Sequence, residues 1–270
     1  MNTLAPKLIL TPLLVSSASL AGRRWGPLLS GWIIALPLTS GPIALFIALE
    51  LGPRTAIDAA AGSLLGGVCL LAYSLVYARA ASRSSWQPAI ALAGATYLTL
   101  GLALPALPRL ALWAAVAVGV PVTVFLLARG PRPTPHAVAD LPRWDIPARV
   151  FVATLLVVGI SGAAPLIGGR AAGVLATFPV YASVLATFAH RLRGPGDGIA
   201  VLRGMVTGLL GFSTFFLVLA EALASTSILI AFGLAIAAGL AVQGFTLVPL
   251  LALARRGAGS SPATELGPLT

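Results

Sequence analysis

Long runs of apolar residues, separated by short clusters of Gly, Pro and Arg, dominate the pattern of the chain. Within each run the apolar residues are continuous and show no strand-like alternation, which favours helices over β-strands. Several of the runs exceed the roughly 18 apolar residues that mark a membrane-spanning helix. Nine hydrophobic segments follow from this pattern: 8–21, 27–50, 56–78, 88–104, 110–128, 149–165, 168–190, 199–222 and 226–253.

The composition supports a protein embedded in lipid. Apolar residues make up 58% of the chain and charged residues 9%, with a mean hydropathy of +0.99. A soluble domain usually carries about 25% charged residues. Because backbone polar groups in hydrocarbon have to pair with one another, the continuous apolar runs predict membrane helices. We therefore predict an all-α, polytopic transmembrane protein with about nine spans.

Sixteen Arg and one Lys against seven acidic residues give a formal net charge of +10. These cations lie singly or in pairs between apolar runs, without interleaved aromatic residues, which argues against a nucleic-acid surface and for contacts with anionic lipid headgroups. With nine spans and the N-terminus outside, thirteen cations fall on the inner side and four on the outer side. The distribution predicts a multi-pass membrane protein with its N-terminus outside and its C-terminus in the cytoplasm.

The first segment resembles a signal peptide, because Ser19-Leu20-Ala21 looks like a cleavage site. We interpret it instead as a retained helix, since Arg23 and Arg24 directly follow its apolar core. The predicted domains are a first repeat of five spans (1–129), a Pro-rich linker (130–148), a second repeat of four spans (149–256) and a flexible tail (257–270).

The two halves share an order of Gly, Pro and Thr residues that indicates duplication. Because five spans precede the second half, the two halves are expected to have inverted orientations, as in many secondary transporters. The clearest matches are Pro27 with Pro165, Gly31 with Gly169, Thr39 with Thr177, Gly52 with Gly194, Pro53 with Pro195, Gly62 with Gly204 and Gly66 with Gly208.

The second helix of each half contains a Pro-bearing interruption, which removes a backbone donor at membrane depth. Paired interruptions of this kind indicate a binding site in transporters. The alternative is an ordinary kink whose Ser and Thr hydroxyls bond to their own helix. Six predicted substrate-binding residues lie at the interruptions: Thr39, Ser40, Pro42, Thr177, Pro179 and Tyr181.

His190 and Arg203 are the strongest candidates for polarity toward the inner face, because ionisable side chains near spans require partners. A structural or topological role is the alternative for both. The Gly-xxx-Gly pairs at 62/66 and 204/208 predict close helix packing within the monomer, and a homodimer face is the alternative. One Cys, two His and seven acidic residues form no recognisable catalytic or metal-binding pattern. We expect no enzyme, no metal site and no cofactor.

Five short motifs lie within residues 149–222: Ala-Gly at 172–173, Phe-Pro at 178–179, Ala-His at 189–190, Leu-Arg at 202–203 and Gly208. Through these motifs the region resembles the GlpM family of small bacterial inner-membrane proteins. The resemblance implies an inner-membrane helical protein and a link to exopolysaccharide production. The overall plan of a duplicated form with inverted halves is also similar to the drug/metabolite transporter superfamily.

These patterns favour a transporter or exporter of a small-molecule solute, with its site between the interrupted helices. The alternative is a membrane scaffold or accessory subunit of an envelope or exopolysaccharide assembly. A transporter predicts a polar cavity that reaches mid-depth beside both interruptions, whereas a scaffold predicts a tightly packed interior and an exposed Gly-rich flank. A membrane enzyme would instead require several scattered ionisable groups to converge.

Overall fold

In the computed structural model of the protein, the described residues are 4–38, 40–104, 107–131, 142, 144–163 and 178–258. These ranges contain helices and connecting turns, with no strand. The helices are α1 (Leu4–Trp25), α2 (Pro27–Ile34), α3 (Ser40–Leu51), α4 (Pro53–Ala81), α5 (Trp86–Ala103), α6 (Arg109–Ala128), α7 (Asp145–Ala163), α8 (Val180–Arg193), α9 (Pro195–Leu223) and α10 (Ile228–Ala258).

Four helices are long and apolar enough to cross a membrane: α4, α6, α9 and residues 228–248 of α10. Large apolar side chains also point outward, and Phe151, Leu229 and Phe245 are 68%, 84% and 82% exposed. A surface of this kind would promote aggregation in water, whereas lipid covers it without cost. The all-helical prediction is confirmed for the described residues, while nine spans in a 5+4 repeat stay a prediction.

Helix α9 lies at the centre of the fold and packs against α2, α4, α6, α8 and α10. α4 runs antiparallel to α9, because Gly67 lies beside Ser213 whereas Tyr77, further along α4, lies beside Gly198. Apolar side chains along α9 fill the spaces between these neighbours, and Leu202 and Leu219 are fully buried. The central helix therefore brings residues from both halves of the chain into contact.

Glycines let α2 approach the backbone of α9. A Cβ atom added at Gly31 would overlap the carbonyl oxygen of Val201, and one added at Gly204 would overlap the carbonyl oxygen of Leu28. Around Gly62, by contrast, no atom lies within 4 Å of an added Cβ. The prediction of close packing within the monomer thus holds for Gly204, while Gly62 faces open space.

α4 and α9 begin in the same way. Gly52 has a φ of 90° and Gly194 a φ of 99°, backbone conformations that residues with a side chain rarely adopt. A Pro follows each glycine at the first helical position, where its missing N–H would have had no intrahelical acceptor. Both helices contain 29 residues. The predicted match between these two segments therefore coincides with a shared local structure.

The ion pair between Arg109 and Glu221 is expected to add little to stability. It joins the start of α6 to the end of α9 with an Nε–Oε1 distance of 3.0 Å, and its side chains are 32% and 58% exposed. Exposed pairs contribute less than about 1 kcal/mol because solvent screens them. In thermal unfolding in detergent, the stability of Glu221→Gln should therefore lie within about 1 kcal/mol of the wild type. A larger loss of stability would show that the pair contributes more than an exposed ion pair does.

Candidate functional site

The first interruption separates α2 from α3. Helix α2 ends at Ile34, and the N–H of Leu38 then donates to the carbonyl oxygen of Leu36 at 2.8 Å, closing a three-residue turn around Pro37. The N–H of Gly41 donates to the carbonyl of Pro37, also at 2.8 Å. Tight turns thus replace the regular helical bonds at the predicted position. Of the predicted site residues here, Ser40 is half-buried, Pro42 is exposed and Thr39 lies outside the described residues.

The second interruption precedes α8 and has the same hydrogen-bond pattern. The N–H of Val180 donates to the carbonyl oxygen of Phe178 at 2.8 Å, and the N–H of Ser183 donates to that of Pro179 at 2.9 Å. Pro179 has φ −77° and ψ 63°, the dihedral angles of an inverse γ-turn. Tyr181 points its hydroxyl at the hydroxyl of Thr11 in α1, 3.0 Å away. Thr177 lies outside the described residues.

The two interruptions repeat with an offset of 142 residues, which relates Pro37 to Pro179 and Gly52 to Gly194. The sequence comparison matches Thr39 with Thr177 instead, an offset of 138. In the register of the hydrogen bonds, Thr39 corresponds to Tyr181. The hydrogen bonds therefore align the two interruptions with an offset that is four residues larger than the offset from the sequence matches.

A buried polar cluster lies beside the first interruption, between α2, α9 and α10. Gln243 of α10, only 2% exposed, donates from Nε2 to the carbonyl oxygen of Trp32 at 3.2 Å. The indole Nε1–H of Trp32 donates to the hydroxyl of Thr246 at 3.1 Å. The remaining Gln243 atom, Oε1, is buried and has no hydrogen-bond partner among the described residues.

This cluster lies about halfway along α9, because Gly208 and Gly211 provide the space for the Gln243 side chain. Gln243 is not among the site residues predicted from the sequence. The sequence nevertheless contains an indication of its importance, because a single amide side chain within a long apolar segment requires a partner or a ligand.

His190 lies at the end of α8 and is 8% exposed. Its Nδ1 is 3.2 Å from the hydroxyl of Tyr77 in α4, and the two rings meet edge to face. One turn earlier on α4, the hydroxyl of Tyr73 lies 2.8 Å from that of Ser183 in α8. His190 therefore belongs to a row of polar contacts that joins α4 to α8.

Arg203 lies on α9 and is half-buried. Its Nε is buried without a hydrogen-bond partner among the described residues. Its backbone carbonyl oxygen accepts a hydrogen bond from the hydroxyl of Thr207 at 2.8 Å. The structure thus places His190 against Tyr77 and gives Arg203 no side-chain partner in the described part of the chain.

An ion-pair cluster joins the start of α7 to the end of α1. Asp145, 1% exposed, accepts from Arg149 Nε at 2.7 Å and lies 3.4 Å from Arg23 Nη2. The sequence analysis places Asp145 in the linker and assigns both arginines to topology. Helix α7 in fact begins at Asp145, so that the last residues of the predicted linker, 145–148, are helical.

Within the described ranges, no group of three or more His, Cys, Asp or Glu side chains is arranged to hold a metal ion. The interactions observed at the sites above are hydrogen bonds at the Gln243 cluster and between α4 and α8, and ion pairs around Asp145. Comparison with protein families, with characterised proteins and with solved structures finds no match to the chain.

Proposed function

We propose that this protein is an inner-membrane transporter or exporter of a small polar solute, with its N-terminus outside and its C-terminus in the cytoplasm. The observation that carries the proposal is the unpartnered Oε1 of Gln243 beside the first interruption. A buried acceptor without a donor lowers stability by about 1–3 kcal/mol, and function commonly accounts for its retention.

The chemistry of the cluster favours a neutral solute that carries hydroxyl or amine groups. Gln243 Oε1 is the acceptor left without a donor, whereas the Thr246 hydroxyl and the Trp32 carbonyl are already hydrogen-bonded within the cluster, and none of these groups is charged. A solute donor that reaches Oε1 would replace the missing hydrogen bond. Ser40 and Pro42 begin α3 on the other side of the interruption, and in this proposal they border the route to the cluster.

The repeated local structure of the two halves supports the same proposal. Each interruption is followed 15 residues later by a Gly-Pro turn, at Gly52 and Gly194, and then by a 29-residue helix. These two long helices pack antiparallel, which is the arrangement expected of inverted repeats. Pro179 and Tyr181 would border the second interruption, while His190 and Arg203 would supply polarity toward the inner face.

The proposal can be tested without knowing the solute, because a transport site has to be reachable from water. We expect a cysteine at Thr246, in a Cys69→Ser background, to react with a charged, membrane-impermeant thiol reagent applied to sealed vesicles. Thr246 is 5% exposed, so that reaction requires the site to open to water. The measurement is the labelling rate from each side of the membrane.

Position 245 provides a matched control, because Phe245 is 82% exposed on the outer surface of α10. Phe245→Cys should remain unreactive, since lipid disfavours the thiolate that the reagent requires. Thr55, near the start of α4, and Ser84, three residues after its end, are both exposed, and cysteines at these positions should react from the outside and the inside respectively. Full protection of Thr246→Cys from both sides would contradict a transport site.

A membrane scaffold or accessory subunit of an envelope or exopolysaccharide assembly is the second candidate. The observation in its favour is Gly62, which is exposed on α4 with no atom within 4 Å of an added Cβ. An exposed glycine allows another membrane helix to approach closely. Protection of Thr246→Cys, together with disulfide cross-linking between two copies of Gly62→Cys, would favour this candidate over transport.

A further inference from the structure

A pocket opens where α1, α2, α7 and α8 meet, at the end of the fold that carries the predicted cytoplasmic arginines. We call it the arginine pocket. Its cavity volume is about 20 Å³, and the cavity is partly open to the surface. It lies apart from the Gln243 cluster, and the inference below does not depend on transport. Its polar lining comprises Ser19, Arg23, Ser30, Asp145, Arg149 and Arg193.

Among the described residues of the ion pairs at the arginine pocket, arginines outnumber carboxylates. Asp145 is paired with both Arg149 and Arg23, at 2.7 and 3.4 Å. Arg193 is paired with Asp197, which lies behind it on α9, at 3.5 Å. Three guanidinium groups and two carboxylates leave a net charge of +1 on these five residues. This excess favours a bound anion even with both carboxylates in place.

Two donors in the arginine pocket have no acceptor among the described residues. Ser19 is 4% exposed, and its Oγ is buried without a hydrogen-bond partner. The Nε of Arg23, one turn further along α1, is also buried without a partner, although Nη2 of the same group is bonded to Asp145 and to the carbonyl of Pro142. An oxyanion would accept from Ser19 and from Arg23 Nε while leaving the Asp145 ion pairs intact.

We propose that the arginine pocket binds a phosphate oxyanion through Ser19 and Arg23. Phosphate presents several acceptor oxygens to a guanidinium group and to a hydroxyl at once, and these charge-assisted bonds are the strong ones. The excess positive charge of the pocket matches such a ligand. The phosphate belongs either to a free ion from the cytoplasm or to the headgroup of an anionic lipid, since both present the same oxygens at this end of the fold.

The test measures ligand-dependent thermal stabilisation of the purified, delipidated full chain in a neutral detergent. Sodium phosphate is compared with sodium chloride at equal ionic strength, and phosphatidylglycerol with phosphatidylcholine in added lipid. A shift with phosphate identifies the free ion as a ligand, and a shift with phosphatidylglycerol alone identifies the headgroup. Stabilisation by a saturating ligand reports affinity separately from the intrinsic stability of each variant.

Neighbouring residues provide matched controls. Ser19→Ala should weaken the affinity about tenfold, because it removes one hydrogen bond to a charged ligand, whereas Ser17→Ala, an exposed position on the same helix, should not change it. Arg23→Gln should abolish the shift, and the exposed neighbour Arg24→Gln should retain it. The proposal is overturned if neither probe stabilises the protein, or if the shift is the same in the Ser19 and Arg23 variants as in their controls.

Discussion

Replacing Gly204 by alanine is expected to destabilise the protein by about 3 kcal/mol, at the upper end of the usual cost of overpacking. The added Cβ would overlap the carbonyl oxygen of Leu28 and lie 3.0 Å from the backbone nitrogen of Trp32. These are backbone atoms of α2, which cannot rotate away as a flexible side chain would. Helix α2 would have to move off α9, with loss of the close packing between them.

Gly62→Ala is the matched control, because Gly62 corresponds to Gly204 in the predicted repeat and lies in open space on α4. Both substitutions replace a helical glycine by alanine, which by itself favours the helix by about 1 kcal/mol. Only the Gly204 variant adds a clash. Thermal unfolding of both variants in the same detergent should show a large loss for Gly204→Ala and none for Gly62→Ala. Equal melting temperatures would contradict the close approach of α2 and α9.

Segments that depend on local sequence could be predicted. The long apolar run at 56–78 lies within α4, and the Gly-Pro pairs at 52–53 and 194–195 mark the starts of two equal helices. Each of these features rests on a few consecutive residues whose backbone preferences are strong. The interruption within the segment 27–50 was predictable for the same reason, since Pro37 cannot donate the hydrogen bond that a regular helix requires.

Partnerships between distant parts of the chain could not be predicted. Arg23 and Asp145 are separated by 122 residues, and nothing near Asp145 distinguishes it from an ordinary linker carboxylate. Gln243 likewise meets Trp32 across 211 residues. Such contacts depend on which helices pack together, and hydrophobic periodicity does not specify this choice. His190, predicted to require a polar partner, lies against Tyr77, which the sequence places within an apolar run and so does not identify as that partner.

Asp145→Asn is expected to destabilise the protein by about 3–5 kcal/mol, the usual cost of leaving one member of a buried ion pair without its partner. Arg149 is 8% exposed and loses its carboxylate acceptor, and Arg23 loses the contact that connects α1 to α7. The asparagine keeps the size of the side chain, so that the effect reports the charge and not a cavity. Thermal unfolding in detergent measures the loss.

Two comparisons separate this effect from a general sensitivity to charge. Glu221→Gln also removes a carboxylate from an ion pair, yet its exposed position predicts a change below about 1 kcal/mol. The double variant Asp145→Leu/Arg149→Met removes the buried pair and should recover much of the stability, because apolar side chains of similar volume replace buried ion pairs well. Arg23 also loses Asp145, but its side chain is 24% exposed and keeps the bond to the carbonyl of Pro142. If Asp145→Asn were as stable as Glu221→Gln, the carboxylate would not be holding α1 and α7 together.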